Sequence, residues 1–389
     1  MINRIHQGDV LTVLRSWPDS FVDCCVTSPP YWGLRDYGVD GQLGLEKTPE
    51  EYISKMVEVF REVRRVLKPE GTCWVNMGDS YSSGGRDSHG TRVGYKQASN
   101  RGTMEATGTR LPMPEGCKPK DLVGIPWFLA FALRADGWWL RQDIIWHKTN
   151  PMPESVTDRC TKSHEYLFLL TKSAKYFFDQ EAIREPHQEV SLKRALRNRF
   201  GGKYRDADPH EHGALKSGNG YGPEGNPDIV CSPGGRNRRS VWTIATEPTP
   251  EAHFATFPRK LIEPCILAGT SEKGYCPECG KAWVRRVEKE SIDTGRGRGK
   301  EPAQCRANLE GHQQVGVYCN TKTLGFSSSC TCGVEPVPGI VLDHFMGSGT
   351  TALVAYEHRR RWIGIELNQE YIKMARRRIA EAEKQMRIF

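Results

Sequence analysis

The sequence predicts an α/β fold with a mostly parallel sheet, and three observations carry that expectation. The apolar run from Val22 to Val26 reads as a buried strand that stops abruptly at Thr27-Ser28-Pro29-Pro30-Tyr31-Trp32. Residues 338–366 read as one strand–helix–strand unit, with a glycine turn at Gly347-Ser348-Gly349 and Glu366 at the end of its second strand. Residues 49–68 carry a helical apolar pattern that Lys68-Pro69-Glu70-Gly71 stops, and Thr72 to Met77 then read as a further strand.

The first strand cannot run past Ser28, because two prolines lack amide hydrogens and fix φ. The open loop offers two acceptors, the Ser28 hydroxyl and the Pro29 carbonyl, beside the rings of Tyr31 and Trp32. That suits a planar base bearing an exocyclic amino group; a proline turn with an aromatic plug is the structural alternative. Residues 79–118 are rich in Gly, Ser and Arg without periodicity and read as a long mobile loop or a disordered insertion. Residues 121–136 read as an amphipathic helix, and Trp138–Trp146 with Glu165–Leu170 as a hairpin at the sheet edge. Residues 181–245 hold Arg194, Arg197, Arg199, Lys203, Arg205, Arg236, Arg238 and Arg239 with little apolar periodicity. Arginine suits phosphates and guanine edges, although Asp206, Asp208 and Glu211 also fit an ordinary solvated loop.

In the last unit, Ile340–Leu342 form the first strand, Thr350–His358 the helix and Trp362–Ile365 the second strand. An acidic residue about 20 positions after the glycine turn is what a nucleoside ribose site requires. The turn is not a phosphate loop, because the Gly-Lys-Ser/Thr ending is missing.

At 389 residues the chain can bury a full core and still carry insertions. Its net charge of +8 is a modest basic excess, consistent with a polyanionic partner. A mean hydropathy of −0.58 and the lack of a long apolar run argue against a membrane span. The N-terminus has no signal-peptide core, and thirteen cysteines, several in apolar runs, do not form a secreted disulfide pattern. A reducing cytoplasm is the expected compartment.

Together the two loops resemble the amino-group DNA methyltransferases that use S-adenosylmethionine. Thr27–Trp32 matches their catalytic motif, (Asp/Asn/Ser)-Pro-Pro-(Tyr/Phe), and Asp343–Thr351 matches their cofactor motif. The catalytic loop comes first, as in the β group, where the N-terminus supplies the remaining strand of the cofactor half; Asn3–Asp9 fits that strand. The resemblance covers roughly residues 1–80, 120–180, 250–270 and 337–380 and extends to Trp146–Glu154, especially in the cytosine-modifying members. It implies a Rossmann-like class I methyltransferase fold: three layers, α/β/α, with a mostly parallel sheet and an antiparallel edge strand. Residues 1–180 would form the catalytic half, 181–250 a target-recognition insert, and 251–270 with 337–389 the cofactor half.

The resemblance gives catalytic roles to Ser28, Pro29, Pro30 and Tyr31. It gives cofactor roles to Asp9, Asp343, Phe345, Gly347, Gly349, Thr350 and Glu366, with Glu366 on the ribose, Asp9 on the adenine amino group and Phe345 on the adenine face. The implied reaction is direct transfer of methyl to cytosine N4 in double-stranded DNA after base flipping. Ser28 leans that way, since Asp at this position leans toward adenine N6, the first rival. Glutamine methylation in a protein and an inactive DNA-binding module are more distant rivals. The implied partner is double-stranded DNA, and a homodimer and a cognate restriction enzyme stay open. Pro264-Cys265 lies in an apolar helix before the glycine motif, so Cys265 reads as a core residue rather than a carbon-5 nucleophile.

Residues 271–336 stand apart, holding Cys276-Pro-Glu-Cys279-Gly280 and Cys330-Thr-Cys332-Gly333. Two close cysteine pairs are the spacing of a zinc ribbon, so this segment reads as a zinc-ribbon-like insert with Cys276, Cys279, Cys330 and Cys332 as ligands. Cys305 and Cys319 compete as ligands, and free cysteines are the alternative.

Overall fold

The central strand shows how one sequence serves two cores. The strand β2 (Val22–Thr27) is buried along its whole length. Side chains alternate between faces, so Cys25 enters a cluster with Leu14, Tyr52, Phe60, Cys73, Leu133 and Leu342. Its neighbour Cys24 points the other way, its thiol donating to the Cys265 carbonyl at 3.9 Å.

The computed structural model describes residues 1–33, 38–82, 115–187, 235–247, 256–291 and 319–386. Most of the loop expected at 79–118, most of the basic stretch 181–250 and Cys305 lie outside them. The chain divides into two units by its contacts. One comprises Met1–Asp179, Arg239–Ala282 and Cys330–Phe389. The other comprises Gln180–Arg238 and Trp283–Ser329.

The first unit carries an eight-stranded sheet in the order β1-β10-β9-β2-β3-β5-β4-β6. The strands are β1 (Arg4–Gln7), β3 (Leu67–Met77), β4 (Trp139–His147), β5 (His164–Thr171), β6 (Val241–Thr243), β9 (Ile340–Asp343) and β10 (Arg361–Glu366), besides β2. From β1 to β3 every pairing is parallel; β5 runs antiparallel to both β3 and β4, and β6 lies parallel to β4. The N-terminal residues do supply a strand beside β10. The hairpin of β4 and β5 forms as expected, but it is not the sheet edge: β6, three residues without a periodic signal, adds outside it. Strand β3 starts at Leu67 rather than Thr72, because Leu67 already pairs with Val22 before the ladder shifts to Thr72 and Cys24.

Helices cover the sheet. On one face α1 (Val10–Arg15) packs on α2 (Pro49–Val66), and α2 on α3 (Ile125–Ala135). Thr48 caps α2 by accepting from the Glu51 amide, and Pro49 opens its first turn. Its apolar positions Tyr52, Met56, Val59, Phe60 and Val63 keep helical spacing and are all buried. The other group is α4 (Arg259–Gly269), α5 (Thr350–Glu357) and α6 (Gln369–Met386), packed in that order. This is a three-layer α/β/α architecture with a mostly parallel, Rossmann-like sheet. Among the described residues, no helix is long and apolar enough to cross a membrane.

The second unit contains an antiparallel pair, β7 (Trp283–Ser291) with β8 (Cys319–Ser328). It also holds a bridge between Glu185 and Arg236, whose side chains form an ion pair at 3.2 Å.

Candidate functional site

Parallel strands deliver their carboxyl ends to one edge of the sheet, and ligands of open α/β sheets bind there. At that edge a cavity of about 790 Å³ takes its walls from both loops singled out in the sequence. Ser28, Pro29, Pro30 and Tyr31 line it together with Asp9, Phe345, Gly347, Thr350 and Glu366. Asp343 and Gly349 are not on the wall.

Asp343 lies behind the wall and joins the two loops. Its carboxylate accepts from Thr27 Oγ1 at 2.9 Å, Thr351 Oγ1 at 2.7 Å and the Phe345 amide at 3.1 Å. Burial pushes its pKa up to about 6 against these donors. Gly349 has φ +81°, and a Cβ there would stand 2.8 Å from that of Ala375, so the residue is fixed by packing against α6.

Around the Ser28–Tyr31 loop a chain of hydrogen bonds has a defined direction. Tyr31 Oη donates to Glu165 Oε2 at 2.8 Å and accepts from Asn76 Nδ2 at 2.9 Å and from Ser28 Oγ at 3.4 Å. Asn76 Nδ2 also donates to Glu165 Oε2 at 2.8 Å, and Lys148 pairs with Glu165 Oε1. Burial first, and the Glu165 charge second, hold the Tyr31 phenol well above its ordinary pKa. The phenol therefore stays protonated and its proton goes to the carboxylate. The Ser28 proton follows toward Tyr31, which leaves the Ser28 lone pairs for a ligand. Gly78 makes the Tyr31 position possible, since a Cβ there would stand 2.8 Å from the ring. The Pro30 carbonyl is taken by Tyr52 Oη at 2.8 Å.

Trp32, expected with Tyr31 as a stacking ring, is not available. It is buried in the core and its indole donates to the Glu46 carbonyl at 2.9 Å. Cys265 is buried in α4, its thiol donating to the Leu261 carbonyl at 3.4 Å. Lys148 falls in the Trp146–Glu154 segment that the resemblance covers, whereas Asn76 and Glu165 are not singled out by the sequence. Their only signal is a polar side chain at the end of an apolar strand.

At the other end of the cavity Glu366 closes β10. Its Oε2 accepts from the Gly347 amide at 2.7 Å and its Oε1 from the Asn368 amide at 2.8 Å. Burial raises its pKa. Asp9 Oδ1 caps α1, accepting from the amide and hydroxyl of Thr12, both at 2.9 Å. Arg378 of α6 holds the glycine turn through the Ser348 carbonyl at 2.6 Å and Ser348 Oγ at 2.7 Å. A buried carboxylate, an apolar ring and a glycine turn on one wall suit a nucleoside. Beside them, Val10, Met346 and Met374 give the wall apolar surface.

Away from the cavity, Cys276, Cys279, Cys330 and Cys332 bring their four sulfurs within 4.8 Å of one another. Tyr275 exchanges backbone hydrogen bonds with Val337, both at 2.8 Å, which draws the two segments together. Of the competing ligands, Cys305 lies outside the described residues, and no side-chain position is described for Cys319.

The DNA methylase family model of N6 and N4 amino methyltransferases matches residues 22–276 and 333–377. The chain is 38% identical over 375 residues to the type II methyltransferase M.Cfr9I of Citrobacter freundii, covering 96% of this chain and 87% of that protein. It is also 38% identical over 376 residues to M.SmaI of Serratia marcescens, covering 97% and 90%. Among solved structures, the PvuII cytosine-N4-specific DNA methyltransferase shares 15% identity at a TM-score of 0.49, covering 98% of this chain and 91% of that one.

Proposed function

Because this chain belongs to the N6/N4 DNA methylase family, its reaction is methylation of an amino group in DNA; we propose that the amino group is cytosine N4 and the donor S-adenosylmethionine. One observation carries the reading: a single cavity has the Ser28–Tyr31 loop on one wall and Phe345, Gly347 and Glu366 on another. Bound there, S-adenosylmethionine supplies an electrophilic sulfonium methyl. Glu366, already fixed by two amides, keeps lone pairs that would hold the ribose hydroxyls, with Asp9 toward the adenine amino group and Phe345 against its ring as the residues that would complete the seat.

An aromatic amine is a poor nucleophile because its lone pair is delocalised into the ring. Ser28 Oγ and the Pro29 carbonyl accept the two amino hydrogens and favour a pyramidal nitrogen aimed at the methyl. Holding the amine in this way supplies rate through orientation and preorganised dipoles. The base reaches the loop only by leaving the duplex, and Tyr31 packs against it there. Ser28 and Trp146–Glu154 are the residues that support cytosine over adenine.

The cysteines fit one structural zinc. Tetrahedral thiolates at about 2.3 Å from the ion sit about 3.8 Å apart, and all four sulfurs here lie within 4.8 Å of one another. Zinc there would order its own segment and take no part in methyl transfer.

The test is Ser28→Ala with labelled S-adenosylmethionine and duplex DNA. The variant should bind the donor as wild type does in calorimetry, yet transfer little methyl. Undiminished transfer would remove Ser28 from the reaction.

A further inference from the structure

On the rim of the same cavity stands a side chain that methyl transfer does not use. Met152 is 84% exposed, more than any other large apolar residue described. It lines the cavity beside Trp146, Lys148 and Asn150. Isolated apolar residues on a surface are ordinary, and it is the mounting of this one that is unusual. Pro151 precedes it and Pro153 follows it, which fixes φ on both sides and restricts Met152 itself to extended backbone. The segment is also tied down. The Lys148 amide donates to the Ser163 carbonyl at 2.8 Å, and Asn150 Oδ1 accepts from the Thr246 amide at 2.9 Å. Beyond Pro153, Glu154 Oε2 accepts from Arg159 Nη1 at 2.6 Å and from the Lys162 amide at 3.2 Å. A stiff stem therefore holds a flexible, unbranched apolar side chain out into solvent at the mouth of the cavity.

We propose that Met152 is a wedge that enters the base stack of duplex DNA and fills the space the target nucleotide leaves. This rests on reading the cavity as the seat of a flipped base. When a base turns out, its neighbours lose a stacking partner, at a cost of a few kcal/mol per step. An apolar side chain inserted between them offsets that loss, and methionine adapts to an irregular gap better than a branched residue. Rigidity matters because a flexible loop would lose conformational entropy on insertion.

The experiment compares Met152→Ala and Met152→Leu with wild type on two short duplexes. Both carry one methylation site, located beforehand by sequencing methylated plasmid DNA. In one duplex the target base is paired; in the other it faces a mismatched base and is already loosened. Met152→Ala should lose about tenfold or more in kcat/KM on the paired duplex, the scale of one unstacked step, and little on the mismatched one. Met152→Leu should keep most of the paired activity. With the fluorescent cytosine analogue pyrrolocytosine at the target position, paired with guanine, the alanine variant should give a weaker fluorescence rise on binding. An equal loss on both duplexes, or none on the paired one, would overturn the wedge. A wild-type complex in which the fluorescent target base shows no rise on binding would overturn the flipped-base reading and the wedge with it.

Discussion

Ser28 acts through what surrounds it. A hydroxyl can donate or accept, and only its neighbours decide which. Here the Glu165 carboxylate draws the Tyr31 proton and Tyr31 Oη then accepts from Ser28, which leaves the lone pairs of this cavity residue for a ligand. The sequence announces Ser28 and Tyr31 because the two prolines mark the loop. It does not announce Glu165, which reaches Tyr31 only because β5 runs antiparallel and brings its first residues to the carboxyl edge of β3. His344 sits inside the Asp343–Thr351 motif, but the sequence does not announce its burial. It is buried beside Phe60 and Phe345, and burial pushes its pKa down to about 3 from 6.5. Below pH 6.5 the unfolded chain takes up a proton that the folded chain refuses until about pH 3. The residue's contribution to stability is thus complete above pH 6.5 and is lost as pH falls through that window. Asp343 works in the opposite sense: its pKa is raised from 3.8 to about 6, so the folded chain takes the proton first and gains stability as pH falls between those values. Comparison with His344→Gln cancels the Asp343 contribution. Between pH 7 and 5 the wild type should lose about 2 kcal/mol more than the variant, at about 1.4 kcal/mol per unit. Parallel urea-unfolding profiles for the two would contradict this.

At the scale of elements, the site is where two loops are locked to each other. Thr27 ends β2, Asp343 ends β9, and the hydrogen bond between them spans 316 positions of sequence. Thr351, in the first turn of α5, donates to the same carboxylate and so fixes the helix behind the glycine turn. The strand–helix–strand unit was legible because its apolar runs and glycines are local signals. The β6 strand was not, since three residues carry no periodicity and their pairing with β4 is a tertiary fact. Asp343 was legible as part of a motif, but its place behind the wall depends on side-chain packing. Glu366 is the opposite case, since the end of β10 itself points it at the cavity. Glu366→Ala should weaken S-adenosylmethionine binding by about 1.5–3 kcal/mol, the scale of hydrogen bonds to a charged group. Part of that loss would come from the freed Gly347 amide. Unchanged affinity in calorimetry would move the ribose elsewhere.

Across the whole molecule, the Ser28–Tyr31 loop and the Gly347–Gly349 loop lie at opposite ends of the sequence. The fold brings them together because β2 and β9 are neighbours in the sheet. The cysteine pairs meet through a different device, the Tyr275–Val337 backbone pairing, and their spacing had already suggested a common ion. Elemental analysis should find about one zinc per chain, the stoichiometry of a four-thiolate site, and Cys276→Ser should lose it. The variant should also become protease-sensitive between residues 271 and 336, because metal binding contributes folding energy to a segment whose sequence has little apolar periodicity. Metal-free protein, purified under reducing conditions and still resistant there, would contradict the zinc assignment. The central claim is narrower: this cavity methylates cytosine at N4. DNA from cells expressing the protein, digested to nucleosides and analysed by mass spectrometry, tests it directly. The account predicts N4-methylcytosine that is missing from cells expressing Ser28→Ala; N6-methyladenine as the only new nucleoside would contradict it.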